Sequence, residues 1–173
     1  MKNADEYDPD DETGYWNLLS GHKRPMRAFI LVTLAVGAAA SAFTQPNIAG
    51  WYDRLIHPAY APPDWIFAPV WTVLYVVMAV AAWRVWRQTS LNSIPMIFYA
   101  GQLVLNFAWC GIFFALHRID LGLGEILVLD LAILATMILF FRRDFWAGIL
   151  FLPYLGWTLF ATLLNYGVWQ LNR

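Results

Sequence analysis

Residues 94–116 read IPMIFYAGQLVLNFAWCGIFFAL, an apolar run without a single charged side chain. A hydrocarbon core of roughly 30 Å needs about 20 such residues at about 1.5 Å of helix rise each, so this run can cross a bilayer. Its polar members have helical spacing: Gln102, Asn106, Trp109 and Phe113 stand four, three and four apart and share one face. Amides are costly in lipid, so this face points into a bundle, where it either bonds a neighbouring helix or borders a ligand cavity. Gly101, Ala108, Gly111 and Ala115 form a second face whose small side chains let another helix approach closely. That contact is expected with a helix of the same chain or with a second subunit.

Working outward, the chain supplies the same length of apolar sequence four more times, at approximately 28–46, 65–86, 121–141 and 146–169. The fold class is therefore all-α, an integral membrane bundle of five transmembrane helices over residues 25–173. Residues 1–24 are acidic and too hydrophilic to bury a core, and are expected to form a disordered tail. Composition agrees with this reading: 60% of the 173 residues are hydrophobic and 13% are charged, whereas soluble domains carry about 25% charged residues. Lys23, Arg24 and Arg27 before an apolar stretch ending in Ala40-Ser41-Ala42 imitate a signal peptide. The long acidic region ahead of them favours a retained helix.

Lys2, Lys23, Arg24, Arg27, Arg84, Arg87, Arg142 and Arg143 fall on one side of the membrane, against Arg54, Arg118 and Arg173 on the other. Positive charge favours the cytoplasm, so the N-terminus is expected there, with the first loop and the C-terminus outside. A net charge of -1, with its positive charge scattered in short clusters, offers nucleic acid no basic face. One cysteine, Cys110, permits no internal disulfide and no thiolate cluster. His22, His57 and His117 lie in separate loops or run ends with no i, i+4 pair, so neither a metal site nor a catalytic residue is assigned. For His117, ligation of a haem iron stands beside a solvated role at a loop edge.

The second run carries Phe67, Trp71, Tyr75 and Met78 on one face, and the fifth carries Tyr154, Trp157, Ala161 and Asn165. Together with the face of the third run they predict either aromatic core packing or an aromatic-walled pocket with a few amides. Trp83, Trp86, Trp146 and Trp169 sit at run ends and read as interface anchors. In the fourth run Glu125 and Asp130 are five residues apart, about 140° round a helix, so they share no face. Asp130, near mid-bilayer, is expected to be satisfied inside the bundle or to serve as a proton site. No inverted repeat of the kind common in transporters is visible.

The sequence resembles the tryptophan-rich sensory protein and translocator protein family, also called the peripheral benzodiazepine receptor family. The residues carrying the resemblance are Trp51-Tyr52-Asp53, Pro58, Pro62-Pro63-x-Trp65, Pro69-Val70-Trp71-Thr72-x-Leu74-Tyr75 and Ala81-Ala82-Trp83. They continue with Tyr99-x-x-Gln102-Leu103, Asn106-x-x-Trp109, Phe113-Phe114, Pro153-Tyr154-Leu155-x-Trp157 and Ala161-Thr162-x-Leu164-Asn165-Tyr166. The resemblance implies a five-helix bundle, often a homodimer, in a bacterial cell membrane. It implies a cavity that binds porphyrins such as protoporphyrin IX and haem as ligands, with no required cofactor, and sterols in some members. In bacterial relatives it implies regulation of tetrapyrrole handling and of responses to light, oxygen or stress. Alternatives at the same site are light- and oxygen-dependent porphyrin breakdown, linked in some members to a tryptophan pair matching Trp71 and Trp157, and transport of porphyrin or another small amphiphile. The pocket positions the resemblance implies are Trp71, Asn106, Trp109, Trp157 and Ala161; the helix faces read above add Tyr75 and Phe113, and the first loop adds Tyr60, as candidate ligand-binding residues. The chain departs from the family in having Ala59-Tyr60 where relatives carry an aromatic pair or a small residue and Trp. A proposed sterol pattern, Tyr followed within about five residues by Lys or Arg, is incomplete after Tyr166, where Gln170 stands in place of a base.

Overall fold

The computed structural model describes residues 12–173, with side chains from Met26 onward. The acidic tail expected over residues 1–24 thus lies outside the residues whose side chains are described. Five helices follow: α1 (Glu12–Ile48), α2 (Phe67–Trp86), α3 (Ile94–Cys110), α4 (Ile119–Phe141) and α5 (Phe145–Leu171). Each contains or forms part of a segment long and apolar enough to cross a membrane, and no strand occurs among the described residues. The protein is a multi-pass integral membrane protein. Its periphery is what lipid selects: Leu31, Val104 and Leu131 are about two-thirds exposed, at 68%, 66% and 67%, and each lies within a span.

Three boundaries differ from the sequence reading: the first helix already begins at Glu12 instead of near residue 28. The second run begins as a 3-10 turn, Asp64–Ile66, because Pro62 and Pro63 hold the preceding backbone extended before the helix can start. The last turn of the third run widens into a π-helix, Gly111–Ala115.

The helices close a ring: α1 packs on α2, α2 on α5, α5 on α4, α4 on α3, and α3 back on α1. One end of this ring is solid. Ala79, Ala81, Ala82 and Val85 of α2 are fully buried and bring backbones together, while Tyr99, Phe140 and Phe151 fill the centre. The Phe140 and Phe151 rings meet edge to face at 4.9 Å between centroids. Gly148 lies so close to Phe141 that a Cβ there would come within 2.5 Å of the ring, which fixes the α4–α5 turn. Along the stripe of small residues in the third run, by contrast, a Cβ on Gly101 or Gly111 would meet nothing within 4 Å. Among the described residues, nothing packs closely on those two positions.

Asp144 closes the solid end. Its side chain accepts the Ala147 N–H at 2.9 Å as the N-cap of α5, and Arg84 of α2 pairs with it at 2.9 Å. Burial raises the Asp144 carboxyl, but the bonds from Ala147 and Arg84 outweigh it and hold the group below its ordinary value. A carboxyl lowered in the folded state stabilises above its unfolded pKa, about 3.9, and that contribution is lost as pH falls through the folded value. Asp144→Ala is therefore expected to cost about 1 kcal/mol, the usual worth of a cap. Thermal unfolding in detergent should show the deficit at pH 7 and its shrinkage as pH falls below the ordinary carboxyl value of about 3.9 toward the lowered value of the folded group.

Candidate ligand cavity

At the opposite end the ring is hollow. A cavity of about 550 Å³ is walled by α1, α2, α3, the π turn, α5 and the first loop, and α4 contributes nothing to its lining. The volume falls within the range of about 300–1,000 Å³ usual for small-molecule sites.

The hollow exists because large rings and small residues face one another. Trp71 and Tyr75 project from α2 with centroids 5.5 Å apart, and across from them α1 presents Gly37, Ala38, Ala40 and Ser41. Gly37 is required there, since a Cβ would come 2.4 Å from the Tyr75 ring. On α3, Trp109 stacks on Phe113 at 5.1 Å and 22°. Phe113 and Phe114 are consecutive, yet both are buried, at 3% and 8%. In an α-helix neighbours diverge by about 100°, and the wider π turn lets both rings point inward.

Polar groups enter in a chain. The Tyr75 hydroxyl donates to Asn106 Oδ1 at 2.5 Å, Asn106 Nδ2 donates to the Tyr154 hydroxyl oxygen at 3.4 Å, and Tyr154 donates to Gln102 Oε1 at 2.8 Å. Gln102 is fully buried and serves helix-to-helix bonding, whereas Asn106 both bonds its neighbours and lines the cavity. The two roles left open for this face are divided between its two amides. A second tie joins three helices near the rim: Trp109 Nε1 donates to Asn165 Oδ1 at 3.3 Å, and Asn165 Nδ2 donates to the Ile119 carbonyl at 3.0 Å.

The first loop covers this end. Trp51 and Tyr52 pack on Phe113 and Phe114. The loop is pinned to α5 by Asn172, which accepts from the Ile56 N–H and donates to the Ile56 carbonyl, both at 2.9 Å. The Tyr52 phenol, outside the spans, is pushed up to about 12 by burial first and then by Asp64 and Asp53.

Of the ligand-binding residues expected from sequence, the structure gathers Trp71, Tyr75, Asn106, Trp109, Phe113 and Ala161 on the cavity wall. Trp157 and Tyr60 are not on it. The Trp157 ring lies behind Phe67, 5.6 Å away, and its indole N–H finds no acceptor among the described residues. Tyr60 turns toward α5, donating to the Leu163 carbonyl at 3.0 Å above Gly167. His117 is also engaged elsewhere: it stacks on Trp51 at 4.4 Å and shares a 2.9 Å bond with Asn47. Asp130 accepts from Thr162 at 2.7 Å between α4 and α5, away from the cavity. The wall contributed by α1, with Gly37, Ser41, Thr44 and Gln45, and the loop residues Tyr52 and Asp64 had not been expected. The small-residue run Gly37-Ala-Ala-Ala-Ser41 wraps right round the helix and so does not single out the cavity face.

Comparison with known proteins gives this geometry its lineage. A tryptophan-rich protein TspO from Archaeoglobus fulgidus is 38% identical over 147 residues, 84% of this chain and 95% of the relative. Protein CrtK from Rhodobacter capsulatus is 36% identical over 148 residues, 84% of this chain and 91% of the relative. The human translocator protein is 34% identical over 153 residues, covering 86% of this chain and 90% of the relative. The model of the TspO/MBR family matches residues 29–170, from the first span through the end of the last, and the chain belongs to that family.

Proposed function

We propose that this protein is a membrane receptor that takes a flat tetrapyrrole, such as protoporphyrin IX or haem, into the cavity between α1, α2, α3 and α5. The observation that supports this most is the wall itself: Trp71, Tyr75, Trp109 and Phe113 offer planar rings, and Asn106 sets a polar atom among them. Burial of a large aromatic ligand against such rings supplies most of the affinity, and one convergent amide orients it. The names of its relatives, which include a tryptophan-rich sensory protein from Cereibacter sphaeroides, favour a role in which occupancy of the site is reported onward.

Titration of the purified protein with protoporphyrin IX should quench its tryptophan fluorescence saturably. Trp71→Ala is expected to weaken binding at least about tenfold, equivalent to about 1.4 kcal/mol. Trp157→Ala should change affinity less than about threefold, because Trp157 is off the cavity wall and its ring packs against Phe67, which is on it. Undiminished affinity in Trp71→Ala would remove the porphyrin from this cavity.

A further inference from the structure

The residues that line the cavity include several amides and hydroxyls but no Lys, Arg or His, and their single charged member is Asp64. Asp64 opens the 3-10 turn that leads into α2, so its carboxylate stands at the loop end of an otherwise uncharged chamber. It forms no ion pair among the described residues, where the two bridges are Arg84–Asp144 and Arg118–Asp120. The basic residues of the first loop, Arg54 and His57, are not on the cavity wall, and the His57 ring packs on Tyr52 at 4.6 Å. Asp53 is a second acid on the same loop, off the cavity wall. Tyr52, a wall residue, is raised first by burial and then by both acids.

A ligand whose mouth-side edge carries carboxylates would bring like charge to Asp64, which is exposed at the rim, and no cation on the cavity wall repays it. We propose that Asp64 makes the cavity mouth charge-selective, favouring flat ligands whose outward edge is neutral or cationic over those whose outward edge is carboxylated. This deepens the tetrapyrrole reading and rests on it for the ligand class. Esterified or cation-bearing tetrapyrroles are then the preferred occupants, and diacids such as protoporphyrin IX bind against a penalty.

The test uses the full chain in phosphatidylcholine nanodiscs, which carry no net surface charge, with protoporphyrin IX and its dimethyl ester as a matched pair. A second pair, proflavine as a cation and acridine-9-carboxylate as an anion, probes charge without a tetrapyrrole. Because an ester also partitions better into lipid, the readout is the ester-to-acid affinity ratio compared between variants. In Asp64→Asn this ratio should fall about tenfold from wild type at low salt, and Asp64→Lys should lower it further. The difference between variants should shrink in about 1 M salt, where the Debye length is about 3 Å. Equal ratios in all three proteins, with porphyrin bound, would overturn charge selection and leave the tetrapyrrole reading standing. An Asp64-dependent preference for proflavine without porphyrin quenching would do the reverse. Failure of every probe to bind would sink both.

Discussion

Replacing Gly37 with valine is expected to close the ligand cavity and reduce porphyrin affinity by about 100-fold or more, equivalent to at least about 2.8 kcal/mol. The reason is geometric. A Cβ at residue 37 would lie 2.4 and 2.6 Å from two carbons of the Tyr75 ring, well inside contact distance. The ring cannot yield by a small rotation, because its hydroxyl is bonded to Asn106 and its face lies against Trp71. The open space beside it is the cavity it already lines, and displacement into that space fills the site. Overpacking of this kind typically costs about 1–3 kcal/mol of stability as well. The two effects separate in the double variant Gly37→Ala, Tyr75→Ala, which removes the obstructing ring. If the loss is steric, affinity in this double variant should exceed that of Gly37→Ala alone, a coupling of the kind seen between touching residues. Equal affinities in wild type and Gly37→Val would mean that the ligand sits elsewhere.

Gly37 also marks where sequence reading reached its limit. The five spans follow from length and apolarity, which are properties of consecutive residues, and they stand in the structure with small shifts at their ends. The inward faces of α2, α3 and α5 were legible because aromatics and amides at spacings of three and four are rare in lipid-facing helices. Trp71, Tyr75, Asn106 and Trp109 stand on the cavity wall for that reason. The α1 wall is built from residues chosen for what they lack, and absence of a side chain leaves no periodic signal of its own. Only the position of Tyr75, on another helix, gives Gly37 its meaning.

Trp157 shows a complementary limit. Its spacing from Ala161 puts both on one general side of α5, yet Ala161 borders the cavity and Trp157 does not. Helical phase assigns a side, whereas the intervening ring, Phe67 on α2, comes from a different helix. The π turn at Gly111–Ala115 was equally hidden: it re-aims Phe114 inward by widening the backbone, against the phase that α-helical counting assigns. Pairwise relations between helices decide these details, and periodicity within one helix does not contain them.

Trp109→Ala is expected to lose both stability, about 3 kcal/mol, and porphyrin affinity, more than tenfold. Trp109 is partly exposed to the cavity, so truncation forfeits less than the about 3–5 kcal/mol of a fully buried large ring. To that is added the tie it makes: without the indole N–H, Asn165 loses the donor to its Oδ1 while its own amide still holds the Ile119 carbonyl. The link joining α3, α5 and the start of α4 is thereby cut at one end. Phe113 and Phe114, stacked on and edge-on to the indole at 5.1 and 5.9 Å, lose their common support, and with them the seat of Trp51 and Tyr52 in the first loop. Trp109→Phe separates the two contributions, since it keeps an aromatic face and removes the N–H. Its stability should fall by only about 1 kcal/mol, the worth of one hydrogen bond, or less if Asn165 finds water. Its affinity should stay within about threefold of wild type if stacking is what Trp109 gives the ligand. Thermal unfolding and fluorescence titration of the two variants side by side decide the matter: equal affinity losses in Trp109→Phe and Trp109→Ala would assign the contribution to the hydrogen-bonded tie instead of to the ring.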